Sequence, residues 1–202
     1  MYQTDSVIYK MNINKITFRK FGEIRNQYNV QSDSPYTIFK NNQTKIITYF
    51  DRVFADKYVY SDSVSFDWKL SIGTKEVCGY LCQKATTRFR GREWIAYYTT
   101  EIPKSEGPWK FSGLPGLILQ IEDSTGYHRF TAITIRNAHS DIYIAKKDSF
   151  RTNRKRFNKQ LSDYKNNPND VISGSQLTPK DASGKEIPMP KRKLFHNPIE
   201  LE

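Results

Sequence analysis

Two-step alternation of apolar residues, polar turns between the alternating runs, and a single stretch of helical spacing predict a mainly β protein. The class is a β-rich α+β fold: an antiparallel meander with one amphipathic helix near 149–166 and an extended C-terminal tail. Residues 7–14 open the pattern, with Val7, Tyr9, Met11 and Ile13 facing one way and Lys10, Asn12 and Asn14 mostly the other. That is the signature of a half-buried antiparallel strand. Tyr36-Thr37-Ile38-Phe39 and residues 45–50 flank Asn41-Asn42, which reads as a hairpin with a polar turn. Val64, Phe66, Trp68 and Leu70 alternate again and predict a further strand. Residues 77–89 and 93–99, rich in Thr and aromatics, form a second hairpin turning at Gly91. Strands at 117–122 and 128–135 are joined by Asp123-Ser124-Thr125-Gly126, and 142–145 adds a short edge strand.

The helix follows from Phe150, Phe157, Leu161 and Tyr164, whose steps of seven, four and three stack on one face. Asp148 or Ser149 is placed to cap it, and Asn166-Asn167-Pro168 to end it. Its outer face carries Arg151, Arg154, Lys155, Arg156, Lys159 and Lys165, opposed by Asp163. Beyond Asn169 the chain turns to Ser, Gly, Pro and Lys, which predicts a domain over 1–168 and an extended or partly ordered tail over 169–202.

Aliphatic residues are scarce, yet 13 Tyr, 12 Phe and 3 Trp supply enough ring area for a core in a 202-residue chain. Lys and Arg exceed Asp and Glu by 32 to 21, and the net charge of +11 favours anionic partners. No run of eighteen apolar residues exists, so the sequence predicts no transmembrane helix. The opening Met1 to Asp5 lacks the charged-then-apolar start of a secretory leader.

Cys78 and Cys82, on one strand, would lie about 13 Å apart. A disulfide needs about 7 Å or less between Cα atoms, so both read as small buried strand residues. His128, His139 and His196 are scattered, and no metal-ligand spacing, nucleophile elbow or phosphate loop is present. No catalytic residue, metal site or cofactor is predicted. Gly107, Gly113 and Gly116 give a glycine-rich stretch, but Pro108 and Pro115 remove amides that a phosphate cradle would need. Gly113-Leu114-Pro115-Gly116-Leu117-Ile118 reads instead as a rigid turn feeding a buried strand. The strongest candidate for ligand binding is Arg88, Arg90, Arg92 and Trp94. On a continuous strand these share parity and would show three guanidiniums and a ring on one face. Basic residues beside rings also suit single-stranded nucleic acid, but no RNA-binding signature accompanies them, so nucleic acid is disfavoured.

Trp94-Ile95-Ala96-Tyr97-Tyr98-Thr99, Ile102-Pro103, Gly107-Pro108-Trp109-Lys110-Phe111 and the Gly113–Ile118 hexapeptide stand in one order. So do Gly79-Tyr80, Cys82 and Lys84-Ala85 before them, and Asn197-Pro198-Ile199-Glu200 at the end. Together these resemble the GLPGLI family, secreted proteins of Bacteroidota-type bacteria whose activity is unassigned. The resemblance is dense over about 64–135. It implies a periplasmic or secreted protein, here a mature sequence with its leader removed. By looser analogy the sheet is similar to the curved half-barrels of envelope lipoprotein carriers.

Three readings stay open. The first is a non-enzymatic cell-envelope protein holding an apolar or amphipathic ligand, lipid or peptide, on a curved sheet. The second is an interaction module that docks an outer-membrane protein through the basic helix. The third is a hydrolase with an unrecognised site. Oligomeric state is left open.

Overall fold

The computed structural model describes residues 3–13, 16–20, 36–139, 148–173, 178–187, 193–194 and 196–201. The fold is mainly β, as the alternation predicts. Among the described residues eleven strands fall into two sheets, with two short helices. The larger sheet contains β1 (Gln3–Ile13), β2 (Ile16–Lys20), β6 (Lys69–Val77), β7 (Tyr80–Phe89), β8 (Arg92–Thr99), β9 (Leu117–Asp123) and β10 (His128–His139). Its order is β2-β1-β10-β9-β8-β7-β6, a meander from β6 to β10 closed by the N-terminal hairpin. The smaller sheet has the order β11-β5-β4-β3, made from β3 (Thr37–Asn41), β4 (Ile46–Val53), β5 (Asp56–Asp62) and β11 (Phe150–Arg151). Every pairing is antiparallel except β11 with β5.

Tight turns set the meander. Val77 pairs with Tyr80 across Cys78-Gly79, and Phe89 with Arg92 across Arg90-Gly91. Both central residues of each turn have positive φ: 55° and 81° in the first, 45° and 77° in the second. That is the primed geometry whose twist matches a right-handed sheet. The expected single strand over 77–89 is therefore broken near its start. Cys78 is an exposed turn residue rather than a buried strand residue, and Cys82 is fully buried. Leu70 of the strand expected from Val64 to Leu70 lies in β6, but residues 64–68 keep their in-out alternation and join no ladder. They cross between the sheets, and Phe66 and Trp68 pack on the core as an extended linker.

The core lies where one face of the meander meets the smaller sheet, and aromatic rings dominate it. Phe111 sits 4.7 Å from Trp94 and 5.4 Å from Phe66, while Tyr49 stacks on Tyr60 at 4.8 Å. Strand β9 is buried almost throughout, as its apolar run predicts. Helix α1 (Arg154–Asn166) closes the smaller sheet with Phe157 buried and Leu161 and Tyr164 against the core. It starts later than the spacing suggests. Asn153 caps it by accepting from the Arg156 amide at 2.9 Å, whereas Phe150 belongs to β11. Pro168 ends α1 and occupies the first turn of a five-residue helix, α2 (Pro168–Ile172). The expected strand at 142–145 lies outside the described residues. Among the described residues no helix is long and apolar enough to cross a membrane.

Candidate functional site

The β7–β8 hairpin separates the four residues that the sequence groups together. Arg88 pairs with Glu93, both exposed, whereas Trp94 pairs with Thr87 and Arg92 with Phe89 on the opposite, core-facing side. The two-residue turn breaks the parity that a continuous strand would give. Trp94 is fully buried against Phe111 and His128, and its Nε1 has no hydrogen-bond partner among the described residues. Arg90 and Arg92 are turned inward onto protein partners. Arg90 forks onto Asp62 with two bonds of 2.8 Å and also bonds Glu200. Arg92 donates to Asp123 at 2.8 Å, to Pro198 O at 2.7 Å and to Ile199 O at 3.1 Å, and it also bonds Asn197.

Inward-facing guanidiniums point to a group that the sequence reading passed over. Lys110, between Trp109 and Phe111 in the motif loop, has a wholly buried side chain. Its Nζ donates to Asp62 Oδ2 at 2.7 Å, Glu200 Oε1 at 2.6 Å and Tyr60 Oη at 3.2 Å. It also lies 5.0 to 5.2 Å from the ring centres of Trp109, Tyr49 and Tyr60, within cation–π range. Arg154 of α1 adds a bond of 3.2 Å to Glu200 Oε2. Three cations thus meet two carboxylates in the interior. Burial lowers the Lys110 pKa, and Glu200 and Asp62 counter it. Burial would raise Asp62, but hydrogen bonds and charge from Arg90 and Lys110 prevail and hold it at about 2. Burial and the two carboxylates push the Tyr60 hydroxyl up. The sequence signal was a lone lysine flanked by rings in an otherwise apolar loop.

The motif residues fix that loop in place. Trp109 adopts φ +53°, a left-handed conformation rare for a bulky side chain. Gly113 has φ +99°, and a Cβ on Gly116 would sit 2.1 Å from Thr99 O. A Cβ on Gly107 would meet Ile118 at 2.9 Å. Pro108, Leu114, Leu117 and Ile118 are buried, while Pro115 is exposed. Lys40 of β3 ties the loop from the other side, donating to Gly107 O at 2.9 Å and Phe111 O at 2.8 Å.

A second titratable group lies beside Arg92. His128 is buried next to Asp123, and burial drives its pKa down to about 4. The Arg92 charge reinforces that shift, while Asp123 and Asn197 oppose it.

On the outer surface a groove of about 420 Å³ runs between β5, β11 and α1. Tyr58 and Phe150 form its apolar wall with ring centres 5.7 Å apart, and Arg151, Arg156 and Lys159 rim it against Asp56. Lys159 is bonded to Asp163 at 2.6 Å. Arg151 and Arg156 have no ion-pair partner among the described residues. Among those residues, no group of three or more His, Cys, Asp or Glu is arranged to hold a metal ion.

A family model described as a protein of unknown function (Porph_ging) matches residues 90–120, which span β8, the motif loop and the start of β9. No curated protein matches the sequence. Among solved structures the chain is similar to PNGF-II in two crystal forms. Each match has 15% identity and a TM-score of 0.57, covering 79% of this chain and 33% of that one. The chain therefore spans about a third of the length of PNGF-II. At that identity the likeness is one of fold alone.

Proposed function

We propose that this chain is a non-enzymatic binding module of the cell envelope. It docks an acidic, aromatic-bearing segment of a partner protein in the groove between β5, β11 and α1. One observation carries the reading: Arg151 and Arg156, without ion-pair partners among the described residues, stand beside the exposed ring of Phe150 in a groove of about 420 Å³. Unpaired guanidiniums beside a ring suit a carboxylate next to an aromatic or aliphatic side chain. The buried ionisable groups support a binding role over a catalytic one, because Lys110, Asp62, Arg90 and Glu200 are spent on one another. The envelope location rests on the resemblance carried by 64–135.

An apolar ligand such as lipid would compete for the same groove. The test is fluorescence anisotropy with a labelled Asp-Glu-Phe-Glu-Asp peptide, alongside sedimentation with anionic vesicles. We expect the double variant Arg151→Glu, Arg156→Glu to weaken peptide binding at least tenfold and added salt to weaken it for the native chain. Undiminished binding by the double variant overturns the reading. Capture by vesicles without peptide binding replaces it with the lipid one.

A further inference from the structure

The segment Asn197-Pro198-Ile199-Glu200-Leu201 is held the way a bound peptide is held. It belongs to no strand of either sheet. Its main chain bonds the main chain of the body from Leu201 N to Arg90 O at 3.1 Å. Side chains of the body make the rest of the grip. Arg92 reads two successive carbonyls, Pro198 O and Ile199 O, together with the Asn197 side chain. Ile199 packs on the core. The Glu200 carboxylate, 7% exposed, enters a nest of Lys110, Arg90 and Arg154. The gripping residues lie 46 to 110 positions away in sequence.

We propose that Arg90, Arg92, Lys110 and Arg154 form a peptide-binding site for an Asn-Pro-x-Glu segment. The chain's own residues 197–201 fill it in cis, and the same segment of a second copy can fill it in trans. Extended peptides are commonly recognised by main-chain bonds together with one deep side-chain pocket, and both are present here. Charge makes the pocket selective. Without Glu200, Lys110 and Arg90 would share Asp62 alone, so the vacated site favours an incoming carboxylate. Exchange of an identical segment between copies needs no new complementary surface, since the site already fits it.

The test uses the full chain with a specific protease site inserted at 188–192, cut after folding. A labelled synthetic peptide of residues 196–202 is then added in excess. The expected result is that the cut fragment remains bound, exchanges with the labelled peptide, and is displaced at least a hundredfold less well by the peptide carrying Glu200→Ala. Native mass spectrometry follows the exchange and circular dichroism follows the body. If the body unfolds when the fragment is diluted away but refolds on added peptide, the site still stands, with binding coupled to folding. A folded body that takes up no peptide overturns the proposal. So does an unfolded body that peptide cannot restore, or equal exchange with the Glu200→Ala peptide. None of these outcomes depends on the α1 groove.

Discussion

Lys110 Nζ lies 2.6 Å from Glu200 Oε1, joining the motif loop to a residue ninety positions along the chain. The contact ties the loop to the C-terminal segment, and the smaller sheet joins through Asp62. Because three cations share two carboxylates, the effects of mutation are unequal. Glu200→Gln leaves the buried Lys110 and the half-buried Arg90 sharing Asp62 and should cost about 3–5 kcal/mol. Lys110→Met leaves two charges of each sign and keeps the apolar stem, so its cost should stay below about 2 kcal/mol. Urea denaturation of both variants checks the order. If Lys110→Met is the more damaging, charge balance is not what Lys110 provides.

Gly116 faces the carbonyl of Thr99, which belongs to a paired strand and has little room to move. Gly116→Ala should therefore destabilise by at least about 3 kcal/mol, the upper range for overpacking. Gly126, with φ +71° and open space around it, gives the comparison. Gly126→Ala incurs only the left-handed backbone penalty, about 1–2 kcal/mol. Thermal unfolding of the pair separates close approach from conformation. Similar midpoints would show that the Gly116 contact relaxes.

Much of this fold was legible because the two sequence periods are local properties. Apolar runs on either side of polar turns marked the strands from 36 to 50 and from 117 to 135, and the spacing of Phe157, Leu161 and Tyr164 marked the helix face. Alternation reports a chain that is extended and half-buried, which is why 64–68 read as part of a strand although these residues join no ladder. Phe150 extends the helical spacing by seven yet lies in β11, because Asn153 supplies the cap four residues short of Phe157. The site was less legible because its contacts are long-range. Nothing local marks Glu200 as the partner of Lys110, or turns Arg92 inward while Arg88 points out.

His128 links stability to pH. Its folded-state pKa is about 4, lowered first by burial and then by Arg92, against an ordinary value of 6.5. Between those values the unfolded chain binds more protons, so this contribution is complete above about pH 6.5 and shrinks as pH falls toward 4. His128→Phe should flatten that slope. The check is the urea midpoint at pH 7.5 and pH 5.0 for both proteins. An equal drop in each would assign the slope to other groups.

Asp51 has the opposite sign. Burial raises its carboxyl from 3.8 to about 6, despite the Arg52 amide, the Tyr49 hydroxyl and the charges of Lys165 and Arg52. The folded state then holds the proton more tightly, so stability declines as pH rises from about 4 to 6. Asp51→Asn keeps the shape and removes the ionisation. The variant should gain stability relative to the native chain at pH 7.5 and lose that advantage near pH 4. A constant difference across this range would rule out titration of Asp51.

Arg88 and Arg92 belong to one hairpin and differ in what each side chain meets. Arg88 is exposed opposite Glu93, and removing an exposed side chain of this kind usually changes stability by less than about 0.5 kcal/mol. Arg92 is buried, and Arg92→Ala would leave the Asp123 carboxylate, which is 1% exposed, without its ion pair and with only the Thr125 hydroxyl and His128 amide. It would also remove the donor to the carbonyls of Pro198 and Ile199. Breaking such a buried pair costs about 3–5 kcal/mol. Because Arg92 also grips the C-terminal segment, the variant should expose residues 197–201 to a carboxypeptidase, whereas Arg88→Ala should leave them protected. Denaturation midpoints and the digestion time course are independent readouts. Loss of midpoint without faster digestion would mean that Arg92 supports the β8–β9 pair alone, and that Lys110, Arg90 and Arg154 suffice to hold Glu200.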